Sequence, residues 1–450
     1  MLIEQFFDAG IGHASYLVAD PEDGVAFLVD PDRDIETYLD AAARMGVLIT
    51  DTFETHVHND YVSGSRALAD VRPIAVHAGD RAELDYPHRS HPDGDVVMVG
   101  ALSVRCVPTP GHTPEHVAYL VADLRRSDDP QFLFSGGALL VGQVARVDLL
   151  GDERVEELSR AAYDTLRERV LPLPDYVAVF PTHGGGSACA ADVAGSRWTT
   201  LGFERLHNRI AHAAIGAYAA FRDAIAEDLP VAPAYYRHVR ALNAKGAALA
   251  SRGPLPYLRD IPAEAVRVDP RPPHLFGARH RPRALNVVAN DSFAARVGAS
   301  VPFGAPIVIL TPDAEQAERL RAQLAIIGYD NVLGYASSEP NADESPLAIE
   351  QLDPRSAAER AAGGALLVDV RDHSEWRAGH VRGAVHIPFE QIGARQDELP
   401  GTRPLVFYCG GGNRSSLAAS IVEQSGREVT NLRGGFTAWR NASLPESRED

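Results

Sequence analysis

The feature that most constrains the fold is an internal repeat in the C-terminal part of the chain. VDP at 268–270 lies against VDV at 368–370, and LFGARHRPRALNV at 275–287 lies against EWRAGHVRGAVHI at 375–387. PIVIL at 306–310 then lies against PLVFY at 404–408. The stretches recur in the same order at nearly the same spacing, so chance is a poor account of them. Each copy alternates apolar runs with helix-forming stretches, which is the pattern of a small doubly wound α/β domain. At 450 residues the chain is too long for one core. The expected division is one domain over 1–250 and the two copies over 260–345 and 350–447.

Residues 1–225 read as a larger α/β domain. The runs SYLVAD, VAFLVDP, LITDTF, VVMVG, LSVRCVPTPGH, VAYLVAD and FLFSGG are short, apolar and bounded by Gly, Pro and Asp, as strands are. IETYLDAAARMG and RVEELSRAAYDTLRERVL interrupt them as helices. Residues 197–227 carry apolar residues at helical spacing throughout. Proline becomes frequent over 230–282, which reads as the tail of the first domain followed by a linker.

Composition excludes several classes. No apolar run approaches the roughly 18 residues of a membrane span. The N-terminal residues carry Glu4 and Asp8 and lack the basic start of a signal peptide. Three cysteines cannot staple a chain of this length, which points to a reducing, cytoplasmic setting. Forty-three basic against 61 acidic residues give a net charge of −18, which argues against a nucleic-acid partner.

PLVFYCGGGNRSSLAASIVEQSG reads as strand, tight loop and helix. Cys409 ends the strand and Arg414 opens the helix. Gly410, Gly411 and Gly412, with Asn413 and Ser415, let backbone N–H groups turn inward around the sulfur. The helix N-terminus adds partial positive charge. Both effects favour thiolate, so Cys409 reads as a reactive cysteine and not as a small core residue. In the first copy Thr311 stands where Cys409 stands, and Gln316 where Arg414 stands. TPDAEQ offers neither a glycine cradle nor a thiol, so that copy reads as an inert scaffold or docking module.

This segment resembles the rhodanese family of sulfurtransferases over about 350–445. The resemblance rests on VDVRDHSEWRAGHVRGAVHIP (368–388), CGGGNRS and NLRGGFTAWR (431–440). It implies a persulfide carried on Cys409. The short loop suits a sulfur-sized acceptor, whereas the longer loop of related phosphatases suits phosphate. Asp369 and Arg371 match the family's VDVR strand and read as a salt bridge that holds the loop.

The second chemical motif is ETHVHNDYVSG at 54–64. His56, His58 and Asp60 alternate along an extended segment and so converge on one side. His112, in TPGHTPEH, and His183, in PTHGGGSAC, each follow another strand. Imidazoles with a carboxylate are ligands for zinc or non-haem iron. The pattern resembles the metallo-β-lactamase superfamily over about 1–250, and within it persulfide dioxygenases fused to rhodaneses. It implies an αββα sandwich followed by two rhodanese-like domains. It also implies a divalent metal, iron or alternatively zinc, on His56, His112 and the residue at position 137. Gly137 stands where the family has aspartate, and Tyr61 where it has a further histidine. Three readings stay open: water or substrate fills the vacancy, the metal shifts toward Asp60 and His183, or the domain has lost its metal. Restoring the carboxylate with Gly137→Asp should then raise metal occupancy.

His58 reads as support behind the metal and His116 as a surface residue. Arg146 reads either as a carboxylate-binding residue for a glutathione-like thiol or as a structural partner of Asp148. Cys106 and Cys189 read as non-catalytic, with nothing beside Cys189 in the sequence to activate it. The resemblances imply a sulfurtransferase coupled to oxidation of a low-molecular-weight persulfide to sulfite or thiosulfate. One alternative is a sulfurtransferase with a silent front domain. A weaker one is a thioester hydrolase of glyoxalase II type. Expected partners are small thiols, persulfides, sulfite or thiosulfate, with no nucleic acid and no membrane. The fused subfamily implies a homodimer or homotetramer.

Overall fold

The structure is a computed structural model and describes residues 1–190, 195–227, 229–250 and 253–448. It divides into two compact units, Met1–Ser251 with Ala325–Gly328, and Arg252–Leu324 with Tyr329–Asp450.

The first unit is built on two six-stranded sheets. One holds β1 (Leu2–Asp8), β2 (His13–Asp20), β3 (Val25–Val29), β4 (Leu48–Phe53), β5 (Ala75–Gly79) and β6 (Arg89–His91) in that order. The other holds β7 (Val96–Val99), β8 (Leu102–Pro108), β9 (Val117–Asp123), β10 (Phe132–Gly136), β11 (Ala178–Pro181) and β12 (Thr199–Thr200). Alternate residues of facing strands meet between the sheets, because side chains in a strand repeat every second residue. Tyr16, Phe27 and Phe53 from one sheet pack there with Val104, Tyr119 and Phe134 from the other.

The helices of this unit are α1 (Ile35–Met45), α2 (Ser65–Val71), α3 (Val155–Thr165), α4 (Leu201–His207), α5 (Arg209–Ile215), α6 (Tyr218–Ala226) and α7 (Tyr236–Lys245). Helices α1 and α2 cover the outer face of the first sheet through Ile35, Tyr38 and Leu68. Helices α3, α5 and α6 cover the second through Leu158, Ile210 and Phe221. The result is the expected αββα sandwich. The stretch over 197–227 is not one helix. The Asn208 side chain accepts from the N–H groups of Ile210 and Ala211, which starts α5 afresh, and Gly216 ends it. The proline-rich stretch read as a linker contains α7 and the first strand of the second unit.

The second unit carries both copies of the repeat. The first copy is β13 (Val266–Asp269), α8 (Pro273–Ala278), β14 (Ala284–Asn286), α9 (Phe293–Ser300), β15 (Ile307–Leu310), α10 (Ala314–Ile326) and β16 (Val332–Ala336). Its parallel sheet runs β14-β13-β15-β16. The second copy opens with β17 (Glu350–Leu352), α11 (Pro354–Ala362), β18 (Leu366–Asp369), α12 (His373–Ala378), β19 (His380–Val381), β20 (Val385–His386) and α13 (Ile392–Arg395). It closes with β21 (Leu405–Tyr408), α14 (Asn413–Glu423), β22 (Val429–Leu432) and α15 (Gly435–Asn441). Its sheet runs β17-β22-β21-β18-β20, so the core of both sheets has one topology.

The repeat extends to side-chain detail. Arg271 pairs with Asp269 at 2.7 Å, as Arg371 does with Asp369 at 2.6 Å. The His280 ring stacks on Phe276 at 3.9 Å, as His380 does on Trp376 at 3.5 Å. The copies also bind each other. The Asn286 N–H on β14 donates to Ser420 Oγ at 3.1 Å, and Ser416 Oγ donates to Asn286 Oδ1 at 2.6 Å. Both serines lie on α14, the helix that follows the cysteine loop.

Candidate functional site

Cys409 follows β21 directly and lies buried at the start of α14. The Gly412 N–H donates to its Sγ at 3.0 Å, and Ser415 Oγ donates at 3.5 Å. Gly412 holds φ 103°, which turns its amide inward at no Cβ cost. Gly411 is exposed at the rim, while the Gly410 carbonyl accepts from the Thr437 N–H at 3.2 Å. Asn413 opens α14. The Gly-Gly of NLRGGF backs the loop: a Cβ on Gly435, at φ 56°, would lie 2.2 Å from the Cys409 carbonyl oxygen. Arg414 pairs with Asp372 at 3.0 Å and Glu375 at 2.7 Å, so its cation is fixed beside the loop. Asp369 and Arg371 form the ion pair read from the sequence. In the first copy, Thr311 Oγ1 donates to Gln316 Oε1 at 2.6 Å, and no thiol stands at the strand end.

The sequence did not signal Arg296, on α9 of the first copy. Burial lowers the pKa of its guanidinium, the Cys409 sulfur opposes that shift, and Arg414 adds to it.

In the first unit the loops after β4, β8 and β11 bring His56, His112 and His183 together. Their ring centroids lie 4.9, 5.3 and 5.4 Å apart. All are buried, and the Nε2 atoms of all three have no hydrogen-bond partner. His56 Nδ1 meets Thr55 Oγ1 at 2.9 Å, and His112 Nδ1 meets the Arg146 carbonyl at 2.6 Å. Burial pulls the pKa of His112 down to about 3, and that of His56 well below its usual value. Both rings are thus neutral near pH 7, the form that binds metals. Asp60 Oδ2 lies 3.2 Å from His183 Nδ1. His58 directs its Nε2 to Asp30 at 3.1 Å and Glu54 at 3.6 Å. A pocket lined by Glu54, Val57, Tyr86 and Glu115 reaches His56.

Three sets of buried donors converge, one of them Asp30, Glu54 and His58. One ligand atom each from His56, His58 and His183 lie within 4.8 Å of one another, and so do those of His112, His183 and Cys189.

Residues 353–442 match the family described as rhodanese-like domain. Over 88 residues, 19% of this chain, the sequence is 44% identical to an HTH-type transcriptional regulator of Mycobacterium tuberculosis and covers 39% of it. Over 175 residues, 38% of this chain, it is 36% identical to a hydroxyacylglutathione hydrolase of Polaromonas sp. and covers 61% of it. Over 195 residues, 41% of this chain, it is 26% identical to the mitochondrial persulfide dioxygenase of Homo sapiens and covers 68% of it. The chain thus spans 39% and 61% of the first two relatives' lengths. A crystal structure of a metallo-β-lactamase from Staphylococcus aureus superposes with a TM-score of 0.69 at 27% identity, covering 75% of this chain and 99% of that one. Residues 353–442 are a rhodanese-like domain, and the first unit has the metallo-β-lactamase fold.

Within that fold the residues present do not fit the two-histidine, one-carboxylate triad. A Cβ on Gly137 would lie 2.9 Å from both Ala145 Cβ and His112 Cδ2, so the space for a carboxylate is filled. Tyr61, at the position of a further histidine, donates to the Asp30 carbonyl at 3.1 Å.

The expectations for His116 and Cys189 are corrected. His116 is not a surface residue: it is 1% exposed, bonded to Thr109 Oγ1 at 2.8 Å, and its Nε2 accepts the Gly137 N–H at 2.8 Å. Cys189 is not isolated, since His112 and His183 stand beside it. Arg146 forks onto Asp148 with two bonds of 2.6 Å and also reaches the Ala188 and Pro230 carbonyls. A ligand carboxylate would have to displace Asp148. Cys106 is a core thiol, pushed up to about 12 mainly by burial.

Asp30 escaped the sequence reading. It ends β3 at φ 50°, a conformation uncommon outside glycine. Its carboxylate accepts from the Thr55 N–H and Oγ1, both at 2.7 Å, and from Thr182 Oγ1. It thereby ties the His56 and His183 loops together. Among the described residues no helix is long and apolar enough to cross a membrane.

Proposed function

We propose that this chain is a sulfur-metabolism enzyme whose rhodanese-like domain transfers sulfane sulfur through a persulfide on Cys409. The observation that carries this reading is the sulfur itself, held by the Gly412 N–H at a helix N-terminus. The Cys409 thiolate attacks the outer sulfur of thiosulfate or of a small persulfide. The sulfur–sulfur bond breaks, and sulfite or thiolate leaves with the electron pair. An acceptor nucleophile then takes the outer sulfur from Cys409 and restores the thiolate. The loop dipoles stabilise the anion at each stage. The test is transfer from thiosulfate to cyanide. Cys409→Ser should abolish it, and mass spectrometry should show a gained sulfur at Cys409 and nowhere in the first copy. Transfer retained in that variant would sink the reading.

A second reading concerns the first unit: oxidation of a low-molecular-weight persulfide, such as that of glutathione, to sulfite. Similarity to persulfide dioxygenases and the convergence of three buried imidazoles with unpartnered Nε2 atoms support it. Thioester hydrolysis has relatives at higher identity. It ranks below, because the two-metal site of that chemistry needs donors at positions 61 and 137. Oxygen uptake on glutathione persulfide against hydrolysis of a glutathione thioester separates the two.

A further inference from the structure

We propose that His112, His183 and Cys189 form a thiolate-bearing zinc site in the first unit, in which sulfur supplies the negative charge absent at Gly137. Their three ligand atoms lie within 4.8 Å of one another. The residues are 3%, 0% and 1% exposed, so all three are buried. His112 Nε2 and His183 Nε2 have no hydrogen-bond partner, while His183 Nδ1 faces Asp60 Oδ2 at 3.2 Å. Each such buried orphan costs about 1–3 kcal/mol, a penalty that a bound cation removes.

The backbone of Arg146 positions two of the ligands. Its carbonyl accepts a hydrogen bond from the His112 Nδ1–H at 2.6 Å, which leaves the Nε2 lone pair free for an ion. Its N–H donates to the Cys189 carbonyl at 2.7 Å. Its guanidinium holds the neighbouring Ala188 carbonyl at 3.1 Å. Arg146 is thus a positioning residue, and the Asp148 fork fixes it in turn.

Two imidazoles and one thiolate, with one position left for water or substrate, is a zinc arrangement. A thiolate favours zinc over ions that prefer oxygen ligands. Binding releases the Cys189 thiol proton to solvent, so the site gains one negative ligand charge. This inference is independent of sulfur transfer at Cys409. It competes with an iron site on His56 and His112.

The experiment titrates the metal-free full chain with cobalt(II) and then zinc. The expected result is a thiolate-to-cobalt charge-transfer band that saturates at one equivalent and that zinc abolishes. The Cys106→Ser/Cys409→Ser variant, whose only cysteine is Cys189, should keep the band. Cys189→Ser should lose it and bind zinc at least about tenfold more weakly. The proposal is overturned by a band that follows Cys106 or Cys409, by metal bound with no thiolate band, or by no metal bound. Should Cys189→Ser fail to fold, the double variant decides the matter.

Discussion

At the scale of single residues, Gly137 shows how a substitution read from sequence changes meaning in three dimensions. Sequence alone makes Gly137→Asp a repair. In the structure its Cβ meets Ala145 Cβ and the His112 ring at 2.9 Å, and neither neighbour is a flexible chain end. Overpacking of this kind costs about 1–3 kcal/mol. We therefore expect Gly137→Asp to lower the melting temperature without raising metal content. Adding Ala145→Gly should recover part of the loss. Thermal melts and metal analysis of the single and double variants check this, and a gain of metal in the single variant would refute it. Arg296 gives a second residue-scale prediction. The Cys409 sulfur favours the charged form of its guanidinium, and Arg296→Ala should raise KM for thiosulfate several-fold while kcat changes less. Equal falls in kcat and kcat/KM would instead place it in the transition state.

At the scale of elements, the copy without the cysteine braces the copy that carries it. Asn286 on β14 holds Ser416 and Ser420 on α14, and α14 presents the loop amide that faces Cys409. Asn286→Ala strands the Ser416 hydroxyl in a buried position, at about 1–3 kcal/mol. We expect a lower melting temperature and weaker sulfur transfer, although Asn286 lies on the copy that lacks the cysteine. Unchanged transfer in a destabilised variant would show that the brace does not reach the loop. The same elements show what the sequence could reveal. The strands of the sandwich were legible because short apolar runs ended at Gly, Pro and Asp. The repeat was legible because its ion pair and stacked histidine recur at fixed spacing. The break at Asn208 was not, since one side-chain cap outweighs a continuous helical pattern. The meeting of Cys189 with His112 was also hidden. It depends on loops from different strands, and no spacing encodes that. His116 misled because its partner, the Gly137 amide, has no sequence signature.

At the scale of the whole molecule, charge sets a further expectation. The chain carries −18, yet the substrates proposed for Cys409 are anions such as thiosulfate. Distant surface carboxylates repel such a donor, while the nearby cations Arg414 and Arg296 attract it. Salt separates the two effects, because exposed charges beyond about 8–10 Å are screened at physiological ionic strength and partly buried ones are screened much less. Arg414 is already neutralised by Asp372 and Glu375 at 3.0 and 2.7 Å, which weakens the local attraction. The long-range repulsion should therefore dominate the approach. We expect kcat/KM for thiosulfate to rise as salt increases from low to physiological strength and then level off, with kcat nearly constant. In Arg296→Ala the rise should be steeper, because less attraction remains to be screened. A fall in kcat/KM with salt would mean that the local cations govern the encounter, and that the surface charge of this chain has no part in how its anionic donors reach Cys409.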